Sequence, residues 1–404
     1  MNYDVVVVGG GPIGAVAARV AAKAGARTLV IEKGDGSGEP ARCAGLLSTR
    51  ALSALGASDL SVLRKIRGAL IHSPSGLKLS LRSDEVKAVV IDRSALNREL
   101  VTLARDVGVD VRTEARVTSV HPGVVTFVRE RLEEDVQASV VIGADGPASV
   151  VASSFSLSSP EEMLIASQAI VDGPVRSEDE VDVFFGRTIA PTFFAWTIPA
   201  REREVRVGLA APIGTNTDEL LSRLIKQRGF GREIDRVHGM IPISLAAETV
   251  ADGALLVGDA AGQVKPSSGG GLYTGGVCAQ IAGQIAAKAA LTGKTGKSDL
   301  ALYEKEFRSK IGDELAFGRA ARKVLCDIDD EGIDTILRVI DRPEIKELIV
   351  RYGDIDYPSR IAHAALSRKD LWPMLRPLIS VLGGMNKISG IARMILAGDS
   401  DGYV

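Results

Sequence analysis

Four β-branched residues in succession, Val5 to Val8, run straight into Gly9-Gly10-Gly11-Pro12-Ile13-Gly14. Such a run reads as a strand buried on both faces, the pattern of a parallel sheet. Gly9, Gly11 and Gly14 space as G-x-G-x-x-G, and Ala15 to Ala24 then favour a helix. The first glycine permits the tight turn off the strand. The second lets a pyrophosphate approach the backbone, and the third lets helix and strand pack closely. The helix start, with its free N–H groups and positive dipole end, holds phosphates. Thr28 to Ile31 reads as the next strand, closed by Glu32. An acid there accepts hydrogen bonds from a ribose 2′-OH and repels a 2′-phosphate. The order strand, turn, helix, strand, acid predicts a dinucleotide site. It fits NAD as well as FAD, and glycine-rich turns also serve packing.

A chain of 404 residues is long enough for two or three domains. The net charge of −2 supplies no basic field for nucleic acid. Cys43, Cys278 and Cys326 form no C-x-x-C pair and no zinc spacing, which favours a reducing compartment and predicts no metal site. The N-terminus shows no signal peptide, and no apolar run reaches the roughly 18 residues of a membrane span. The expected location is cytoplasmic, with peripheral membrane contact left open.

Arg42-Cys43-Ala44-Gly45-Leu46 leads into a helical stretch ending near Gly56, and residues 67–90 read as a hairpin around Ser73 to Gly76. Asp92 or Ser94 is placed to cap a helix carrying Leu96, Leu100 and Leu103. Strands are expected at 109–111, across 117–128 with a turn at His121-Pro122-Gly123, and at 139–142, ending in Gly143-Ala144-Asp145-Gly146. From about residue 150 to 250 the texture becomes that of an antiparallel sheet, with strands at 181–185, 193–198 and 204–209. The parallel pattern returns at Ala254-Leu255-Leu256-Val257-Gly258-Asp259, followed by a glycine-rich loop and an Ala-rich helix from Leu272 to Leu291. Beyond Leu300 the chain reads as helices, with Leu300, Tyr303, Phe307, Ile311 and Leu315 in one apolar stripe. His72, His121, His238 and His363 show no ligand or triad spacing and read as surface or satisfied core residues.

Three motifs in this order, Gly9-x-Gly11-x-x-Gly14 with Glu32, Gly143-Ala144-Asp145-Gly146, and Gly258-Asp259, resemble the FAD-binding signature of the flavoprotein monooxygenases and their relatives, the para-hydroxybenzoate hydroxylase-like fold. Within that superfamily the chain most resembles the geranylgeranyl reductases, including the archaeal digeranylgeranylglycerophospholipid reductases. Arg42-Cys43-Ala44-Gly45-Leu46 resembles their R-C-x-x-G-L region with one residue fewer. Pro191 to Pro199 resembles their Y-x-W-x-F-P box, with Phe194 for the tyrosine and Ile198 for the phenylalanine. Lys265-Pro266-Ser267-Ser268-Gly269-Gly270-Gly271 resembles the P-x-x-G-G-G loop that faces the flavin ring. The likeness covers roughly residues 1–320.

The resemblance implies an α/β fold: a Rossmann-type FAD-binding domain (1–66, 91–150 and 251–299), an inserted antiparallel-sheet substrate domain (67–90 and 151–250), and a C-terminal helical region (300–404). It implies a cofactor shell of Gly9, Gly11, Pro12, Gly14, Glu32, Lys33, Arg42, Cys43, Ala44, Arg93, Val117, Asp145, Gly146, Asp259, Pro266, Gly269, Gly270, Gly271 and Leu272. Cys43, Phe194 and Trp196 would form the catalytic face. Phe194 and Trp196, two apart on one expected strand, would share a face and wall an apolar tunnel, although sheet core reads the same way. The implied activity is FAD-dependent reduction of isoprenoid double bonds, fed by a ferredoxin-like protein or reduced nicotinamide. The alternatives are an oxygen-using hydroxylase or halogenase, and an electron carrier to quinones that lacks an iron–sulfur cysteine set. Leu375, Leu378, Leu382, Met385, Ile388 and Ile395, with Arg376, Lys387 and Arg393 between them, suit a helix lying on a membrane surface, with a break at Gly383-Gly384.

Overall fold

The computed structural model describes residues 1–38 and 43–381; Arg42 and the stretch 382–404, which carries most of the expected amphipathic pattern, lie outside the described residues. The first strand, Asn2–Val8, sits between Leu132–Gly143 and Thr28–Ile31, parallel to both, and Asp110–Arg112 and Ala254–Leu256 extend the parallel set outward. Val5, Val6 and Val7 are fully buried because helices cover one face of this sheet while an antiparallel meander, Ala115–His121 and Val124–Arg129, packs the other. The strand expected at 139–142 is longer, Leu132–Gly143. Its first half pairs antiparallel with Val124–Arg129, and only its second half joins the parallel sheet.

A second, seven-stranded sheet runs in the order Glu233–Pro242, Met163–Asp172, Glu204–Pro212, Ala195–Pro199, Glu180–Phe184, Gly68–His72, Lys78–Arg82. It is antiparallel except for Glu180–Phe184 against Gly68–His72. The chain enters this sheet in two separate passages, and the intervening elements, which belong mainly to the first sheet and its helices, supply the long crossover that a parallel pair requires. The expected strand at 193–198 begins only at Ala195, so Phe193 and Phe194 belong to the turn before it. Asp92 is the cap of the helix Arg93–Arg105, accepting from the Ala95 N–H at 2.9 Å.

The helix Leu272–Thr292 packs on the first helix, Pro12–Lys23, at glycine contacts. A Cβ at Gly283 would stand 2.5 Å from the Ala17 carbonyl oxygen and 2.8 Å from the Val20 Cβ. The C-terminal helices complete this core with Leu300, Tyr303, Phe307, Ile311 and Leu315, all buried as the stripe predicts. They are also tied to the glycine-rich loop by a buried ion pair. The Lys265 ammonium donates to Asp356 Oδ1 and to the Ile355 carbonyl, both at 2.7 Å, and Ser48 donates to the other carboxylate oxygen. Tyr273 and Tyr357 join hydroxyls alongside at 2.6 Å.

Asp356→Ala is expected to cost about 3–5 kcal/mol in urea unfolding, since it leaves the Lys265 charge buried without its counter-charge. The pair of changes Lys265→Met with Asp356→Leu should recover most of that loss. Recovery failing in the double variant would mean that the pair does more than neutralise charge. Gly283→Ala should lower stability by about 1–3 kcal/mol through overpacking between the two helices.

Candidate flavin and substrate cleft

The dinucleotide end of the site is built by backbone approach. Gly9 adopts a φ of 102°, and a Cβ on Gly14 would collide with the Gly9 carbonyl oxygen. Nothing lies within 4 Å of where a Gly11 side chain would be, so the loop leaves open space over the helix start. No side chain caps that helix, and its first N–H groups are free to take an anion. Glu32 is fixed beside the loop by the N–H groups of Gly10 and Gly34, at 2.6 and 2.7 Å. Lys33 next to it is exposed. Val117 is buried in the core beneath the parallel sheet, so a contact with a cofactor there would fall to its backbone. The Asp145 carboxylate is held by the Ser149 hydroxyl and the Val150 N–H, both at 2.7 Å, which tie it to the helix Val150–Ser154. Gly146 takes a φ of 85° in that turn.

The other end is a ring of contacts that joins the glycine-rich loop, the Cys43 loop and the inserted sheet. A Cβ at Gly271 would lie 3.1 Å from Asp259 Oδ1, and Asp259 faces the guanidinium of Arg93, which in turn faces the Cys43 sulfur. Burial pushes the Asp259 carboxyl up to about 6, and Arg93 opposes that rise. The Cys43 carbonyl accepts from Gln168 Nε2 at 3.1 Å, and Gln168 Oε1 accepts from Trp196 Nε1 at 3.1 Å. Trp196 meets Phe194 edge-on at 6.0 Å, and Phe194 stacks on Phe193 at 4.3 Å. Phe193 then closes the ring, since a Cβ at Gly269 would stand 3.6 Å from it. Phe194 therefore joins the Trp196 cluster by ring packing from the turn, and not by strand alternation. Gly271 is the uncapped start of the helix Leu272–Thr292, so Gly269 to Gly271 present a helix N-terminus to the cleft.

Several supports carry no motif. Arg206, buried, donates to the Ala44 carbonyl at 3.0 Å, and its charge faces Cys43. A Cβ at Gly208 would stand 2.5 Å from the Trp196 ring, so this glycine makes room for the indole; a glycine inside a strand pattern was the available signal. Arg322 grips Glu162 at 2.9 Å and the Thr192 carbonyl at 3.0 Å, bracing the turn that holds Phe193. Pro266 packs against Gly318 of the C-terminal helix Asp313–Asp327, and Leu272 packs on the main core. Cys278 is buried and Cys326 half-buried in helices. No helix among the described residues is long and apolar enough to cross a membrane.

The model of the FAD binding domain family matches residues 2–316. Digeranylgeranylglycerophospholipid reductase 2 of Methanothermobacter thermautotrophicus is 33% identical over 89% of this chain and 98% of its own length. The digeranylgeranylglycerophospholipid reductase of Methanothrix thermoacetophila is 30% identical over 87% of this chain and 94% of its own. Among solved structures, a geranylgeranyl bacteriochlorophyll reductase-like protein of Thermoplasma acidophilum superposes with a TM-score of 0.83 at 25% identity, covering 94% of this chain and 99% of that one. A flavin-dependent brominase superposes with a TM-score of 0.71 at 17% identity over 92% of this chain and 99% of that one, a likeness of fold alone.

Asp259 supplies a pH test in the cofactor-free protein. A carboxyl raised in the folded state stabilises the fold below its unfolded value of 3.8 and loses that contribution as pH rises through about 6. The loss is at most roughly 3 kcal/mol. Asp259→Asn should therefore raise the Tm of the apoprotein at pH 7–8 relative to the parent and leave the two nearly equal below pH 4. Equal melting curves across the whole range would show that the carboxyl is not desolvated.

Proposed function

This chain belongs to the digeranylgeranylglycerophospholipid reductase family of FAD-binding proteins, and we propose that it reduces the isolated double bonds of a geranylgeranyl glycerolipid in membrane lipid biosynthesis. The observation that carries this reading is the ring itself: the glycine loop that would face the flavin adjoins, through Phe193, an aromatic wall with few polar groups. Such a wall suits a hydrocarbon chain, whereas a phenol or amino acid needs buried donors and acceptors to fix it.

FAD fits the residues present. In our reading Gly9, Gly11, Gly14 and Glu32 hold its adenosine diphosphate portion, Arg93 and Asp259 lie by the ribityl chain, and Gly269 to Gly271 face the ring, with the remaining loop and strand residues completing the shell. When bound, reduced FAD supplies a hydride. An isolated alkene is a poor acceptor, so pre-positioning in a dry slot is what the protein must provide. Phe194, Trp196 and Ile198 exclude water there, and Gln168 fixes the Trp196 ring by its N–H. Cys43 places a thiol, a group able to carry a proton, on the same cleft beside Arg93. The helix start at Gly271 favours negative charge developing nearby. Residues 1–66, 91–150 and 251–299 would bind the cofactor, 67–90 and 151–250 the lipid, and 300–404 would brace both.

Anaerobic incubation of the reduced enzyme with a geranylgeranyl glycerophospholipid should give products about two mass units heavier per reduced bond. Product that gains oxygen or halogen, with strict dependence on O₂, overturns the reading. Trp196→Ala should lower turnover about tenfold or more while the flavin absorbance is retained. A ferredoxin-like protein or a reduced nicotinamide would feed the flavin, and stopped-flow bleaching with each distinguishes them. Peripheral membrane contact would come from the chain beyond Trp372. Liposome flotation should fall when that segment is deleted, and flotation unchanged in a folded truncation removes the idea.

A further inference from the structure

The seven-stranded sheet has a cavity on the face turned away from Trp196. Along the strand Ala195–Pro199, Trp196 and Ile198 join the core on the cleft side, while Thr197 and Pro199 line this cavity of about 300 Å³. At its base lie two buried titratable groups, His72 and Asp182. His72 Nε2–H donates to Asp182 Oδ1 at 2.7 Å, and the His72 ring stacks on Phe184 at 4.4 Å. Thr197 Oγ1 and Arg176 Nε donate to Asp182 Oδ2 at 3.0 and 3.2 Å. Burial raises the Asp182 carboxyl, but the bonds from His72, Arg176 and Thr197 outweigh it and hold it below the usual range. The second acid of the lining, Glu180, is paired with Arg82 at 3.2 Å and Arg176 at 3.1 Å. Both carboxylates are thus satisfied from within.

The cations are not. Lys78 lines the cavity opposite His72 in the register of its hairpin, and its ammonium has no partner among the described residues. The Arg228 guanidinium lies over the Phe184 ring at 4.3 Å; among the described residues its side chain has one hydrogen-bond-distance partner, His72 Nε2 at 3.2 Å, and Asp182 attracts its charge from further off. That nitrogen already carries its proton toward Asp182, so it cannot also accept from Arg228. The Arg228 fork is therefore held in place by a ring, with its donors open to solvent at the cavity mouth and no protein acceptor for them among the described residues. Two cations from different elements, one on a hairpin and one at the end of the helix Thr217–Gln227, converge on a cavity whose own acids are neutralised. Leu70, Val175, Val205 and Phe230 supply an apolar part of the lining.

We propose that this cavity binds a small phosphate group, held between Lys78 and Arg228. A phosphate presents oxygens in several directions and can bridge a fork and an ammonium that do not share one plane. The volume is at the small end for ligand sites, which suits a headgroup-sized phosphate ester and not a nucleotide. A free phosphate in solution and the phosphate of a glycerophospholipid headgroup present the same chemistry to this site. The sheet separates this site from the flavin cleft, so the inference does not rest on the reaction proposed above.

The test is calorimetric titration of the FAD-loaded protein with inorganic phosphate and with glycerol phosphate, alongside flotation with phosphatidylglycerol vesicles, all against chloride at equal ionic strength. Saturable binding in any arm, weakened about tenfold or more by Arg228→Gln and again by Lys78→Gln, supports the site. Binding of the soluble phosphates identifies a free ligand, and binding of vesicles alone identifies a headgroup. Both residues lie on the exposed rim, so the variants should keep the parent flavin spectrum and Tm. Absence of saturable binding in every arm, or binding unchanged in the Arg228→Gln/Lys78→Gln variant, overturns the proposal.

Discussion

The site depends first on how closely backbone approaches backbone at Gly9. Its conformation turns the chain off the first strand, and a Cβ there would stand 2.7 Å from the Ala144 carbonyl carbon. Gly14 closes the same contact from the helix side, against Gly9 itself and the Ala144 side chain. Two strand ends and one helix start therefore meet with no side chain between them. This leaves uncapped N–H groups at a surface open above Gly11, where an anion can come within hydrogen-bond distance. Larger residues would separate the layers, and the free N–H groups would no longer share one cradle with Glu32.

The second requirement is that parts far apart in sequence hold one another. The loop at Cys43 to Gly45 is held on one side by the Ile91 N–H, which donates to the Gly45 carbonyl at 2.8 Å, and by Arg93 beside the Cys43 sulfur. It is fixed by the inserted sheet, through Gln168 to the Cys43 carbonyl and Arg206 to the Ala44 carbonyl. The glycine-rich loop is likewise fixed from outside, by Asp356 acting on Lys265. These bonds set the distance of both loops from the aromatic wall. Buried polar contacts of this kind are directional, so they set position where apolar packing alone would tolerate slippage. That is a reason for a charged pair under a loop that could have been packed with leucine.

What the sequence made legible follows from the range over which each signal acts. Gly9, Gly11 and Gly14, Glu32, the Asp92 cap and the helix from Leu272 are local patterns, and each lies where the pattern puts it. The apolar stripe from Leu300 to Leu315 is local too. The partial misreading of the Phe193 to Ile198 strand has a physical cause. Phe193 and Phe194 have high strand propensity, but Thr192 takes a φ of 59° just before them, which bends the chain into a turn. Gln168, Arg206, Asp356 and Arg322 were invisible because each acts on a partner ninety or more residues away, and a polar residue carries no mark of its partner in the sequence.

The alternation of a strand explains why one short segment serves two environments. Ala195–Pro199 is buried at every position, so neither face is solvent. Trp196 and Ile198 need an apolar face toward the cleft, whereas Thr197 needs an acceptor on the other side and finds it in Asp182. A buried carboxylate at that point is costly unless several donors hold it. His72, Arg176 and Thr197 do so, from the strand Gly68–His72, the loop before Glu180–Phe184 and the strand Ala195–Pro199. In the register of the sheet, Asp182 pairs with Thr197 and Val183 with Trp196. The carboxylate network on one face and the indole on the other are thus adjacent rungs of one ladder. A displacement of Asp182 by more than a fraction of an ångström moves Val183 with it, because the backbone bonds of the ladder transmit it. The Trp196 face of the sheet is therefore positioned from behind as well as from its own side, by charges that lie on the opposite face.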